Sequence, residues 1–384
     1  MRSRIPVPLN TLRRGALTAD EWAGRLFLLI AYVTYVLSNA LILRDVVPAE
    51  VKHGEFIFIA VMSLLRQPRR SLIATAVALP IALIYALGNL WHYAAMVFVF
   101  AMSLPIIWEG VLSVVDRRDY RFLLAVAFIA MIPVFLSLPT LLEKGLFDIT
   151  YGRPRMLLGY FHPKEAAISF AVPMLLLMLM SSRSASAIPW FLGFILLWLV
   201  GSRNISLMLF LGWAMRWHGR WSLVVLLTSI PLLVLWLVLN NDWYGTIDDL
   251  TSLRLSVWTD FLRSSNILDE MNINSGARLG ADNFFVEAFF ISGPAALALI
   301  FLWVVVVGLV LWLRGQSSLW PRVSFAMLIF IASFDSGIAS TGNIMHVLLW
   351  AIILSPLFYR RPIQQSVHMS IKSKERMTVA TASS

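Results

Sequence analysis

Residues 240–283 read NNDWYGTIDDLTSLRLSVWTDFLRSSNILDEMNINSGARLGADN, the longest polar interruption in an otherwise apolar chain. The segment mixes Asp, Arg, Asn, Trp and Gly, and a long apolar run follows it at once. If the flanking runs lie in a bilayer, this stretch is the main part of the chain outside it where chemistry can be done. Its reading therefore decides the architecture: a membrane-embedded helical body with one long loop on a single side.

Composition supports that division. The 384 residues are 59% hydrophobic and 14% charged, with mean hydropathy +0.78, whereas soluble domains are about 25% charged. Apolar runs fall at 24–43, 56–65, 71–87, 91–111, 122–142, 166–180, 188–200, 205–215, 223–239, 284–313, 323–334 and 345–358. Such lengths predict an all-α polytopic membrane protein of about 12 spans, because a barrel would show short alternating segments instead. The run at 56–65 is too short alone and is expected to start earlier, and the one at 284–313 is long enough to tilt. The chain has no cysteine, which excludes disulfides, thiol nucleophiles and cysteine-metal sites. No pair of residues has metal-ligand spacing, no glycine-rich phosphate loop follows a strand, and no cofactor is expected.

Charge placement sets the orientation. The net charge is +10, and in a membrane protein such an excess gathers on cytoplasmic loops rather than marking a nucleic-acid binder. With both termini inside, the inner segments hold about twenty-one Lys/Arg and the outer ones about ten, and every inner loop has at least one. Residues 1–22 then form a cytoplasmic tail, 23–359 one transmembrane domain with a periplasmic loop at 240–283, and 360–384 a disordered basic tail. The basic arm precedes an apolar run long enough to span, so a cleavable signal peptide is not expected.

The outer basic residues stand against the rule. Arg153, Arg155 and Lys164 follow the fifth span, Arg203 stands in a tight turn, and Arg254, Arg263 and Arg278 lie in the long loop. An arginine at a helix centre costs about 2.5–3.5 kcal/mol on insertion scales, so one held near the membrane interior implies a partner. Guanidinium is planar, permanently charged and bidentate, which suits phosphate oxygens. Solvation, a lipid headgroup or a loop acid accounts better for Arg263 and Lys164. Arg203 has few local acids and almost no loop to extend into. Arg254 lies in SLRLSVWTDFL (252–262), whose Leu253, Val257, Phe261 and Leu262 fit one face of an interfacial helix.

Three other residues carry proton chemistry. His162 stands just before Pro163, and proline suits the first position of a helix, so its imidazole sits at a helix start. There it acts as a general acid or base, or packs on Tyr160 and Phe161. Asp282 and Asn283 are both N-cap residue types. Glu287, one turn further on, favours the helix dipole and is placed to pair with an arginine.

RMLLGYFHPKEAA (155–167), GSRNISLMLF (201–210), SLRLSVWTDFL and LGADNFFVEAFFISGP (279–294) occur in that order. Together they resemble the O-antigen polymerase and ligase superfamily over residues 151–294. The resemblance implies a GT-C-like membrane fold in the bacterial inner membrane. It also implies polyprenyl-pyrophosphate-linked glycan substrates, surrounding membrane lipids, and a flippase and a chain-length regulator as partners. It assigns Arg203 and Arg254 to the donor pyrophosphate, with Arg153, Arg155 and Arg278 as further candidates. The ligase branch places a histidine where this chain has Asp282, and Lys164 stands where the polymerase branch commonly has asparagine. The base stays open between Asp282, Glu287 and His162. The expected activity is metal-independent glycan polymerisation, with a ligase that moves glycan to a lipid or protein acceptor second and a flippase or transporter third.

Overall fold

In the computed structural model, residues 16–43, 46, 50–139, 142, 147–150, 153–156, 158–181, 193–197, 199–200, 202–218, 283–314, 319–333 and 338–358 are described. Their helices are α1 (Ala19–Ser38), α2 (Glu50–Arg66), α3 (Pro68–Leu87), α4 (Trp91–Arg117), α5 (Tyr120–Leu136), α6 (Pro163–Met180), α7 (Arg203–His218), α8 (Phe284–Ser292), α9 (Pro294–Arg314), α10 (Trp320–Ala332) and α11 (Ile344–Phe358). The fold is all-helical, as the sequence predicts, apart from one short hairpin. Strands β1 (Phe147–Thr150) and β2 (Arg153–Met156) pair antiparallel after α5, with Asp148 opposite Arg155 and Thr150 opposite Arg153. The sequence 147–150 alternates apolar and polar residues, a strand-like period that the basic character of the loop obscures.

Four helices are long and apolar enough to cross a membrane: Pro68–Leu87, Trp91–Arg117, Pro163–Met180 and Pro294–Leu311. Shorter apolar helices cover Tyr120–Leu136, Asn204–Met215, Trp320–Ala332 and Ile344–Phe358. The outward surface is that of a membrane protein. Leu72, Leu79, Leu83 and Leu87 are exposed along one face of α3, as are Leu124, Phe128 and Phe135 on α5 and Leu297, Phe301, Val305 and Leu309 on α9. These stripes recur at helical spacing and would be unfavourable in water, but suit lipid.

Several boundaries differ from the hydropathy pattern. α1 stops at Ser38 because Asn39 caps it, with its amide bonded to carbonyls of the last turn. α2 does start earlier than its apolar core. α5 stops at Leu136, with Ser137 as its C-cap. The apolar run at 284–313 is two helices: Gly293 has φ 60°, a left-handed value that suits glycine, and Pro294 begins the next helix. Of the run at 188–200 only part is described, and 223–239 lies outside the described residues.

The described ion pairs gather at one end of the bundle. Arg25 pairs with Asp119 at 2.6 Å, Arg66 with Asp20 at 3.1 Å, Arg70 with Glu109 at 2.6 Å and Arg117 with Glu21 at 3.0 Å. These residues stand at the starts of α1, α3 and α5 and toward the ends of α2 and α4, so the first five helices alternate in direction. Arg25 also donates to the Ser113 hydroxyl at 2.8 Å and to the Ser113 carbonyl at 2.9 Å. Thr18 and Glu21 close a capping box at the start of α1. Trp22 and Tyr120 are exposed at this end, and Trp91 and Tyr93 at the other. Amphipathic rings at both ends are what a bilayer's two interfaces select.

Two packing features hold the helices at these positions. Gly24 of α1 lies directly on Gly110 of α4: a Cβ on Gly110 would sit 2.3 Å from the Gly24 carbonyl oxygen, and one on Gly24 would sit 2.4 Å from the Gly110 nitrogen. Small residues that let backbones touch are a main means of helix association in lipid, where burial of apolar surface gives no preference. Further along, Trp303 of α9 and Trp350 of α11 are fully buried, with ring centroids 5.3 Å apart. Phe325 of α10 meets Trp303 at 5.6 Å and Phe100 of α4 meets Trp350 at 5.9 Å.

The glycine contact predicts that Gly110→Leu forces α1 and α4 apart and costs about 3 kcal/mol, read as a lower Tm in detergent, whereas a surface Leu124→Ala leaves Tm nearly unchanged. The Asp119 pair predicts a pH effect. Burial opposes the charged form, but the Phe122 amide and the Arg25 guanidinium outweigh it and hold the carboxyl below its ordinary value. The pair's contribution is complete above the unfolded carboxyl value of about 4 and is lost as pH falls through the lower folded value. Wild-type Tm therefore drops on acidification through that range by more than the Tm of Asp119→Asn, and parallel curves for the two proteins would refute it.

Candidate functional site

The end opposite the ion pairs gathers the starts of α2, α6, α7, α8 and α11. The motif before α6 is tied to the end of α1. The Leu41 amide donates to the Gly159 carbonyl at 2.8 Å, the Phe161 amide donates to the Asn39 carbonyl at 2.9 Å, and Ala40 bridges to Tyr160. The Tyr160 hydroxyl donates to the Ala130 carbonyl of α5 at 2.7 Å. Burial raises the Tyr160 phenol well above its ordinary range, so it stays a donor.

His162 is the N-cap of α6, with Pro163 in the first turn, as the sequence predicts. Its Nδ1 accepts from the Lys164 amide at 3.2 Å, which places the proton of the neutral ring on Nε2. One turn on, Glu165 accepts a hydrogen bond from the Tyr35 hydroxyl of α1.

α7 begins at Arg203. Gly212, in its second half, lies against Met327 of α10 and beside Met178 near the end of α6. α7 thus runs parallel to α6 and opens at the same end. Asn283 is the N-cap of α8: its Oδ1 accepts from the amides of Phe285 and Val286 at 3.0 and 3.1 Å, and its Nδ2 donates to the Ser333 carbonyl at 3.0 Å. Glu287 is buried in the first turn, with 1% of its surface exposed. At its far end α8 is held to α3, where the Ser292 hydroxyl donates to the Ile84 carbonyl.

The remaining sequence candidates divide as follows. Arg153 and Arg155 lie on β2, and Arg203 in the first turn of α7, but the side chains of all three lie outside the described residues. Arg254, Arg278 and Asp282 lie outside them altogether, as does the interfacial helix expected around Arg254. The structure thus places His162, Glu287 and the backbone of Arg203 at one end of the bundle.

The sequence reading missed a cleft at this end. Thr34 and Tyr35 of α1, Glu55 of α2 and Thr341 before α11 line it, with Ala31, Phe56 and Ile344 as apolar walls. His53 Nδ1 and the Thr341 hydroxyl share a hydrogen bond of 2.9 Å across two elements far apart in sequence. Asn343 then caps α11, accepting from the Met345 amide at 3.0 Å, and its Nδ2 lies 3.4 Å from Nε2 of the fully buried His346. The available signal was a carboxylate, Glu55, at the edge of an apolar run too short to span; 335–343 reads only as a small-residue turn.

No family model, curated protein or solved structure matches this chain.

The cap geometry at His162 gives a test. Asparagine keeps a side-chain acceptor at the N-cap, so His162→Asn leaves Tm close to wild type, whereas His162→Ala costs about 1 kcal/mol. Equal loss in both would show that the ring's packing, and not the cap, holds α6.

Proposed function

We propose that this protein is a glycan polymerase of the bacterial inner membrane, with about 12 spans by hydropathy and charge. Its charged end faces the cytosol and its cleft-bearing end faces the periplasm. It transfers a growing saccharide from its polyprenyl-pyrophosphate carrier to a sugar hydroxyl on another carrier-linked repeat unit, on a GT-C-like frame. Arg203 and Arg254 hold the donor pyrophosphate, with Arg153, Arg155 and Arg278 near it. A flippase supplies the lipid-linked units, and a chain-length regulator sets the product size.

One observation carries the reading: the helices that begin with the ordered motif residues, at His162, Arg203 and Asn283, all open at the same end, away from the ion-paired arginines. Negative charge builds on the leaving pyrophosphate as the anomeric bond breaks. Preorganised guanidinium groups stabilise that charge in the transition state. The proton of the acceptor hydroxyl needs a base, for which the sequence offers Asp282, Glu287 and His162. A transporter would instead carry charge at mid-membrane; Glu109, in the last third of α4, is paired with Arg70 at the ion-paired end.

Arg203→Ala and Arg254→Ala are each expected to lower chain extension at least about 100-fold while the protein still inserts. The readout is the polymer ladder in a deletion strain complemented with each variant. A ladder of normal length from both rejects these roles. Deletion that leaves full-length carrier-linked polymer, never passed to an acceptor, makes the protein a ligase.

A further inference from the structure

Glu55 stands in the second turn of α2, and both of its carboxylate oxygens are shut from solvent, with no well-formed hydrogen bond among the described residues and the Thr34 hydroxyl as the one donor close by. The Thr34 hydroxyl stands beside it, and Thr341 and Tyr35 share its cleft. Other described carboxylates are engaged. Asp20, Glu21, Glu109 and Asp119 each hold an arginine, and Glu165 accepts from Tyr35. A buried carboxylate whose two oxygens have at most one hydroxyl between them is under-satisfied, which leaves lone pairs for a donor that arrives from outside. The cleft is lined by an aliphatic and aromatic wall and three hydroxyl-bearing residues, and it lies at the end that holds His162 and the start of α7.

We infer that Glu55 is a catalytic base, taking the proton from the acceptor sugar's hydroxyl; the inference rests on the polymerase reading. The acceptor O–H bond breaks and its proton passes to a Glu55 oxygen. The freed electron pair on the acceptor oxygen forms the new bond to the donor's anomeric carbon. The bond from that carbon to the phosphate oxygen breaks, and its electron pair leaves with the lipid pyrophosphate. The cleft is too narrow to admit a water molecule in this conformation. The His53–Thr341 bond ties α2 to the turn before α11, and an acceptor that fills the cleft excludes water from the reacting atoms.

The test uses the full-length protein in detergent or liposomes, with carrier-linked repeat units extracted from the deletion strain as substrate. Glu55→Gln is expected to lower kcat at least about 100-fold with the donor KM within about twofold, and Glu55→Asp to recover part of that loss. Tm and elution volume establish that each variant is folded. If Glu55→Gln does not fold, Glu55→Asp decides: partial turnover with an unchanged donor KM supports the role, and wild-type turnover overturns it. A folded Glu55→Gln with wild-type kcat also overturns it, as does a loss carried entirely by KM. Wild-type protein that makes no polymer from these units sinks the polymerase reading, and the role of Glu55 with it; polymer from wild type and Glu55→Gln alike sinks the role of Glu55 alone.

Discussion

Unpaired charge is not tolerated where helices face lipid, and that constraint orders this molecule. Every ion pair described between helices lies at one end, where the starts of α1, α3 and α5 meet the ends of α2 and α4. The consequence reaches beyond electrostatics. Once Arg25 is fixed to Asp119 and Ser113, α1 is committed to lie along α4, and the Gly24–Gly110 contact fixes how closely. The tryptophan cluster of α9 and α11 then packs on the far side of α4. The apolar faces left over turn outward to the bilayer.

The opposite end is built by a different rule. There the polar groups are helix caps and backbone acceptors rather than ion pairs: His162 for α6, Asn283 for α8, Asn343 for α11, and Asn39 closing α1. Caps satisfy the amides that a helix start leaves unpaired without placing net charge in the membrane. They also bring amide donors and the positive ends of helix dipoles to one surface.

How far the sequence could be read follows from this difference. Helix positions were legible because apolar runs and basic clusters are one-dimensional signals; α3, α4 and α11 begin and end near their predicted limits. The helix start at His162 was legible too, since a proline at the next position is a local pattern, although the capping contact of the ring was not. The break at Gly293 was not, because the apolar residues continue across it and only the backbone turns. Nor was the cleft. Glu55, Tyr35 and Thr341 lie on three elements whose meeting depends on how α1, α2 and α11 pack, and no local spacing encodes that. The arginines of the long loop depend on structure beyond the described residues, so their convergence rests on the sequence argument.

The two ends together explain why Glu55 matters more than its neighbours. Asp20, Glu21, Glu109 and Asp119 each hold one guanidinium group, which neutralises them and fixes helix positions. Glu165 has a tyrosine donor, which fixes α6 against α1. A carboxylate that only supported the fold would be expected to have one of these partners, since a missing partner destabilises the folded state and selection removes such residues unless they serve some other end. Glu55 has neither, although Thr34 and Thr341 lie on the walls around it. Its retention is therefore better accounted for by a group that visits than by one that stays. At the end away from the ion pairs, Glu55 is the under-satisfied carboxylate that lines a cleft, and a hydroxyl substrate would complete it.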